Sequence, residues 1–285
     1  MHILAFFFLN QYYKMAYGNR NKWRRRARRA VNRYHKRKSC NKATVAIVKK
    51  VIHSQIENKQ AFKAVSGIRV SSSFPTTIAN GMYPIIPNVV SSLSGDNSKV
   101  GQQIRPLSLR LGLQAFISNS SGNAQCPIYF DLYVFSIKKM KDSSLYDSVG
   151  VGEVSRFFRP STSGTDTLYD GRVYNYFQNV NTDVINIIHK KRFKMSPTNL
   201  ADTGAGLNGS WVENYSQFSI NHTVPLSKHV SKTLKYTNTT DEVPNNCALF
   251  ATLVCTRADA TVLPEDPSFT GGICSFNSCM VYEDA

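Results

Sequence analysis

The sequence predicts an all-β protein, in which an antiparallel sandwich follows a strongly basic N-terminal arm. First, Val, Ile, Thr, Tyr and Phe form short apolar runs that are separated by clusters of Ser, Asn, Gly and Pro. Second, no helical pattern of ten to fifteen residues alternates with these runs, as a parallel sheet would require. Third, the segment from Arg20 to Lys50 holds fourteen lysines and arginines, and the first acid of the chain is Glu57.

The basic arm carries almost all of the net charge. Fifteen of the 35 lysines and arginines precede Glu57, which leaves 20 for the rest of the chain, against all 18 acids. The net charge of +17 therefore belongs mainly to the arm, and the body is close to neutral. Residues 15–42 have no apolar periodicity, so we expect residues 1–42 to form a disordered arm that neutralises a polyanion.

The arm has the composition of a nucleic-acid-binding segment. Guanidinium and ammonium groups pair with phosphates without reading sequence, and Trp23 and Tyr34 can stack on the bases of a single strand. The same run is typical of a nuclear import signal, and a solvated tail is the remaining alternative. The predicted nucleic-acid-binding residues are Arg20, Lys22, Trp23, Arg24, Arg25, Arg26, Arg28, Arg29, Arg33, Tyr34, Lys36, Arg37 and Lys38.

The apolar segment ahead of the arm does not match a secretory signal. Its core, Ile3–Leu9, is short, lacks a preceding positive charge and is followed by no small-residue cleavage site. Met15 opens the basic arm directly, so we expect translation to start there.

Residues 43–61 are predicted to connect the arm to the body. Val45, Val48, Ile52 and Ile56 recur at helical spacing, with charged residues between them. The pattern fits a short amphipathic helix or a strand that enters the fold, and the helix is preferred.

The body, residues 62–285, contains eight runs that predict strands. Alternation in the second run indicates one buried face, whereas the third is almost continuously apolar, as in a central strand. Residues 119–125 join these two runs as a hairpin-like loop, and residues 138–181 have a looser pattern. The runs are Phe62–Ser73, Gln103–Ser118, Pro127–Lys139, Asp183–Met195, Tyr215–Val224, Val230–Tyr236, Ala248–Arg257 and Ile273–Glu283.

No enzyme motif is found in the sequence. His53, His189, His222 and His229 lie in different segments, without a nucleophile motif or a phosphate-binding loop. We therefore expect no catalytic activity, no cofactor and no small-molecule substrate. Two pairs of acids, Asp96 with Asp131 and Asp241 with Glu242, could bind calcium at a subunit boundary, but without a regular Asp-x-Asp loop they are interpreted as solvated loop acids.

The six cysteines form no C-x-x-C pair and are not matched by a pair of histidines at metal-binding spacing. Cys247, Cys255, Cys274 and Cys279 fall inside strand-like runs. They are interpreted as structural thiols of a reduced protein rather than metal ligands or disulfides.

One run of the body resembles a known family. Residues 98–113 contain Gly-x-x-Ile-x-Pro-x-Ser-Leu-x-Leu shortly after a basic arm, and residues 48–59 resemble the junction between arm and shell. This combination resembles the capsid proteins of small circular Rep-encoding single-stranded DNA viruses, whose shell domain is similar to tombusvirus-type coats. The resemblance covers the arm and most of residues 60–257. The larger tombusvirus coats have a separate protruding domain, whereas we expect none in this chain, because only 28 residues follow Arg257.

The resemblance implies a single eight-stranded jelly roll that assembles into an icosahedral shell around a single-stranded genome, with DNA favoured. Implied partners are the genome, other copies of the chain and host nuclear import receptors. The implied locations are the virion and, during assembly, the host nucleus. The alternative is a non-viral nucleic-acid-binding protein with a β-sandwich body, which would need basic and aromatic residues on its folded surface.

Overall fold

The structure is a computed structural model, which describes residues 44–48, 58–75, 77–92, 96–117, 127–160, 169, 171–195, 219–257 and 272–284. The chain divides into two compact units, Met1–Glu57 and Asn58–Ala285. Among the described residues, no helix combines the length and apolar character needed to cross a membrane.

In the first unit, residues 44–48 form a short exposed helix, α1. Of the two alternatives for residues 43–61, a helical turn is found at the start of the segment and a strand at its end, from Asn58. Strand pairing begins at Asn58, inside the predicted connector, because this segment has a partner strand across eleven paired positions. Residues 49–57 lie outside the described part of the chain.

The second unit is built from antiparallel strands with a few short helical turns. The helical elements are a 3-10 turn (Ser143–Leu145), a π turn (Tyr146–Gly150), α2 (Val151–Val154) and a second 3-10 turn (Val173–Phe177). The strands are β1 (Asn58–Val70), β2 (Tyr83–Pro84), β3 (Val90–Ser91), β4 (Ser98–Lys99), β5 (Gln103–Ile117), β6 (Ile128–Ile137), β7 (Ile185–Met195), β8 (Ser219–Pro225), β9 (Leu234–Lys235), β10 (Phe250–Arg257) and β11 (Gly272–Asp284).

Two sheets form the sandwich. The first sheet has the order β1-β11-β5-β8, with β9 also pairing with β5. The second has the order β2-β10-β6-β7. Every pairing in these two sheets is antiparallel, whereas the two residues of β3 pair in parallel with β4.

An asparagine side chain covers part of the outer edge of β1. The Phe62 backbone N–H donates to Asn97 Oδ1 at 2.7 Å, and Asn97 Nδ2 donates to the Phe62 carbonyl at 2.9 Å. Asn97 has φ of 57°, a left-handed conformation that asparagine tolerates better than most residues. The contact occupies hydrogen-bonding groups that an edge strand would otherwise offer to another chain.

The two sheets enclose a hydrophobic core. Alternate residues of β5 and β11, such as Leu111, Leu113 and Phe276, pack against the inward face of β6 and β10. Phe130, Leu132 and Cys255 represent the second sheet in this core.

A second core lies on the opposite face of β6 and β10. The connection between β6 and β7 covers that face with aromatic side chains, so β6 is buried on both sides. Phe157 is central to this layer, with ring centroids 4.4 Å from Phe74 and 5.3 Å from Tyr133. The other large buried residues of the layer are Phe135, Tyr146, Phe158, Tyr169 and Phe250.

The all-β antiparallel prediction is confirmed, and each of the eight predicted runs contains a strand, although only two residues of the sixth run, in β9, are paired. The predicted count of eight strands is not reproduced, since the described residues form eleven. The structure also contains the short strands β2, β3 and β4, whose two-residue lengths give no periodicity to recognise. The hairpin-like loop predicted at 119–125 lies outside the described residues.

Candidate functional surfaces

The predicted nucleic-acid-binding residues all lie between positions 20 and 38, outside the described part of the chain. Their role therefore stays a prediction. The described residues instead contain three features with functional potential: a buried ion pair on β6 and β7, a histidine pair between β7 and β8, and an exposed face of the first sheet.

The buried ion pair joins Asp131 on β6 to Arg192 on β7. Arg192 Nε and Nη2 donate to the two oxygens of Asp131 at 2.7 Å each. The Tyr169 hydroxyl donates to Asp131 Oδ2 at 2.9 Å, and Arg192 also donates to the Val173 carbonyl at 3.2 Å. Asp131 has no exposed surface, so these bonds replace its hydration. Burial raises the pKa of Tyr169, and the adjacent Asp131 carboxylate raises it further.

Aromatic rings hold the cations of β7 in place. The Arg192 guanidinium lies 4.3 Å from the Tyr176 ring centroid and 4.8 Å from that of Tyr129. Lys190 lies over the same Tyr176 ring at 4.3 Å, and its ammonium donates to the Tyr176 carbonyl.

The interpretation of Asp131 as a solvated loop acid is wrong, because Asp131 lies in a strand and neutralises the largely buried Arg192.

A histidine pair connects the edge strands of the two sheets. His222 Nε2 on β8 lies 3.3 Å from His189 Nε2 on β7, and Lys191 Nζ lies 3.5 Å from His222 Nδ1. An ammonium group has no lone pair to accept with, so His222 Nδ1 is the acceptor. Neutral His222 therefore carries its proton on Nε2, and this N–H donates a hydrogen bond to His189 Nε2.

The surroundings of the histidine pair favour the neutral rings. Burial lowers the pKa of both imidazoles, and the Lys191 ammonium lowers them further. The strand neighbours of the pair are apolar: Val134 lies opposite His189, and Leu113 lies opposite His222. The sequence placed these histidines in different segments, and the structure brings them together.

The outward face of the first sheet is exposed and has little charge. It consists of the residues of β5, β8 and β11 that alternate with the core positions, together with Phe62, Ala64 and Arg69 of β1. Phe116 lies directly opposite Ile273, and each is 44% exposed. Among the described residues of this face between 110 and 116, 219 and 225, and 273 and 281, Arg110 is the single charged side chain.

Charge is unevenly distributed along the body. All 20 lysines and arginines that follow Glu57 lie within the described residues, together with ten of the acids. Seven further acids, and no lysine or arginine, fall in the chain segments 161–170, 196–218 and 258–271. The near-neutral body of the sequence prediction is therefore a basic framework linked by acidic segments.

The described cysteines are free thiols. Cys247, Cys255 and Cys274 are buried, and Cys279 is half-buried. Burial raises the pKa of Cys274 to about 12, so this thiol stays protonated. The burial of Cys247, Cys255 and Cys274 agrees with the interpretation as small apolar fillers of the core, and the expected absence of disulfides and metal stays a prediction. Within the described part of the chain, no three His, Cys, Asp or Glu residues are grouped as a metal site would require.

Comparison with known proteins identifies no family for the chain. No family model matches it, and no curated protein matches it. A solved structure of Desmodium yellow mottle tymovirus is similar over 80% of this chain and 88% of its own, with 8% identity and a TM-score of 0.31. A likeness at that level does not establish a common fold.

Proposed function

We propose that this protein is a viral capsid subunit. It assembles with copies of itself into an icosahedral shell and packages a single-stranded nucleic acid through its basic arm. The proposal treats the chain as a structural protein without catalytic activity.

The observation that carries the proposal is the strand order. Taken as eight strands in sequence, β1, β2, β5, β6, β7, β8, β10 and β11 give the order 1-8-3-6 in one sheet and 2-7-4-5 in the other. This order corresponds to the two Greek keys of a jelly roll, a fold used by viral capsid and lectin domains. The basic arm favours the capsid over the lectin, since a polyanion is a packaging partner and carbohydrate is not.

Packaging is assigned to residues 20–38. Their arginines and lysines neutralise phosphates and release counterions irrespective of sequence, as a coat protein requires. DNA is favoured over RNA by the resemblance of residues 98–113 to the coats of circular single-stranded DNA viruses. The same basic run would serve nuclear import before assembly.

Self-association is assigned in part to the outward face of the first sheet. The described charges of this face include Arg110, Arg69 opposite Ile273, and Arg105, which is paired with Glu283 at 3.1 Å. Its charges are few, so two copies can approach its apolar part without strong like-charge repulsion. Phe62, Phe116 and Ile273, which are 44–45% exposed, would become buried in such a contact and supply its apolar area.

The alternative function, a non-viral nucleic-acid-binding protein, is supported by the ten excess positive charges on the described framework. Arg192 and Lys190 are already engaged with Asp131, Tyr176 and backbone carbonyls, which reduces their availability to a ligand.

Electron microscopy of the purified full chain tests the proposal. Closed particles that protect nucleic acid from nuclease are expected. Removal of residues 1–42 should leave particles that are empty, because the arm carries the packaging charge. A discrete monomer at physiological salt, with and without nucleic acid, would refute the capsid function.

A further inference from the structure

A cleft of about 560 Å³ lies beside the first residues of β7. Three cations line it: Lys138 after β6, Arg159 in the connection between β6 and β7, and Lys190 on β7. Its lining, all within the described residues, contains no carboxylate. Asp131 acts electrostatically on Lys190, whereas Lys138 and Arg159 have no carboxylate among the lining residues. Cations without an adjacent counter-charge attract anions, and the low dielectric of a cleft strengthens that attraction.

Two of these cations are available to a ligand. Lys138 is exposed, and its described contacts include no ion pair, whereas the adjacent Lys139 is paired with Glu153 at 3.3 Å. Arg159 Nη2 donates to Thr182 Oγ1 at 3.1 Å, which orients the guanidinium and leaves its other N–H groups for an anion. The backbone N–H of Arg159 also donates to the Asn179 carbonyl at 2.9 Å, which fixes the chain at this wall.

Lys190 forms the rigid side of the cleft. Its ammonium is held over the Tyr176 ring at 4.3 Å and donates to the Tyr176 carbonyl. This cation is positioned by the fold rather than by a ligand, so it contributes a fixed positive potential.

The remainder of the lining is apolar or carries amides. The half-buried Val180 and Ile187 offer an apolar surface to a planar ring, and Asn179 and Asn186 offer amide donors and acceptors. The volume falls within the range of pockets that bind small organic ligands.

We propose that this cleft binds one nucleoside phosphate of a nucleic acid strand. Arg159 and Lys138 contact the phosphate, and the base lies against Val180 and Ile187. This inference rests on the proposed packaging function and extends it: the strand held by the arm is also held at a fixed point on the folded body.

The test is lysine acetylation of the full chain, read by mass spectrometry, with a short oligothymidylate, thymidine monophosphate or inorganic pyrophosphate as probe. The oligonucleotide should slow acetylation of Lys138 several-fold and leave Lys141, an exposed lysine outside the cleft, unchanged. Arg159→Gln should raise the oligonucleotide concentration needed for protection by about tenfold, as expected for a lost hydrogen bond between charged groups. Arg156→Gln, which changes an exposed arginine of the same connection, should leave that concentration unchanged.

Equal protection of Lys138 and Lys141, or protection that survives Arg159→Gln, would overturn the proposal. Protection by pyrophosphate as strong as that by the oligonucleotide would overturn the nucleoside assignment, and protection by the mononucleotide alone would overturn the strand assignment. Particle formation is measured on the same samples. Selective protection of Lys138 without particles would refute the capsid function and support binding in the cleft. Particles without protection of Lys138 would refute binding in the cleft alone.

Discussion

Arg192 and Asp131 form a bidentate ion pair across β7 and β6, with two N–H···O contacts of 2.7 Å. Asp131 is fully buried, and the side chain of Arg192 is 14% exposed. The pair links the edge strand of the second sheet to the strand that is buried on both faces, so its integrity affects both cores.

Removal of one partner of this pair should strongly destabilise the protein. Arg192→Met leaves the Asp131 carboxylate buried with Tyr169 as its remaining described side-chain donor, and we expect a loss of about 3–5 kcal/mol in the free energy of unfolding. The double variant Asp131→Leu with Arg192→Met leaves no buried charge at this position and should lose far less stability. Urea denaturation of the unassembled protein measures both, and a double variant less stable than Arg192→Met would contradict this account.

The histidine pair should make stability depend on pH. The pKa of His189 and His222 is lowered in the folded state, so the unfolded chain binds more protons below its own histidine pKa of about 6.5. The contribution of the histidine pair to the free energy of unfolding is therefore fully present above a pH of about 6.5. It is lost progressively as the pH falls from about 6.5 through the lowered folded-state pKa.

Unfolding of the wild type and of His222→Gln at pH 7.5 and 5.5 measures this effect. The glutamine variant should lose less stability on acidification, because it cannot acquire a charge beside Lys191. His229→Gln, which changes an exposed histidine, serves as the control and should behave as the wild type. Equal acid sensitivity of all three proteins would refute the role of the pair.

Gly272→Ala should weaken the joint between β11 and β5. The added Cβ would lie 2.3 Å from the Phe116 carbonyl oxygen and 3.0 Å from the Phe130 ring, so backbone must move. We expect a cost of about 1–3 kcal/mol, as for other overpacked positions. Gly152→Ala is the matched control, since its Cβ would meet no atom within 4 Å in α2 and should be neutral or stabilising. Thermal unfolding measures both variants: the melting temperature should fall for Gly272→Ala and not for Gly152→Ala. Equal melting temperatures of the two variants would contradict this account.

Polar substitution on the outward face of the first sheet should impair assembly more than folding. Phe116→Thr with Ile273→Thr changes two half-exposed side chains to a residue with good strand propensity, so we expect less than about 1 kcal/mol per site in monomer stability. Sedimentation should show fewer particles. Val149→Thr, at a 48% exposed position outside the sheets, should assemble normally. Unimpaired assembly of the double variant would exclude this face as a subunit contact.

The long strands could be predicted from sequence because each has a local signal. β5 alternates apolar and polar residues, and β6 is a continuous apolar run between turn-rich segments. The two-residue strands could not be predicted from sequence, because two positions are too few to show a period. The aromatic layer over β6 was also missed, because Phe157, Phe158 and Tyr169 are dispersed among charged residues and glycines.

The polar contacts depend on register, which the sequence does not supply. Asp131 is the single acid in an apolar strand, and such a residue requires a cationic partner. Choosing Arg192 over Lys190 or Lys194 requires the pairing of β6 with β7. The contact between His189 and His222 depends on two edges of different sheets meeting, which no local pattern encodes.

The position of β11 determines when the protein can fold. Its residues pair with β1 on one side and with β5 on the other. Asn58 can therefore pair with Glu283 only after 225 further residues have been synthesised. A ribosome-bound chain that has not yet produced residues 272–284 cannot complete its first sheet. Residues 1–57 are synthesised long before that sheet can form, so the body cannot complete its fold until β11 has been made, and the long sequence separation of β1 and β11 slows that step.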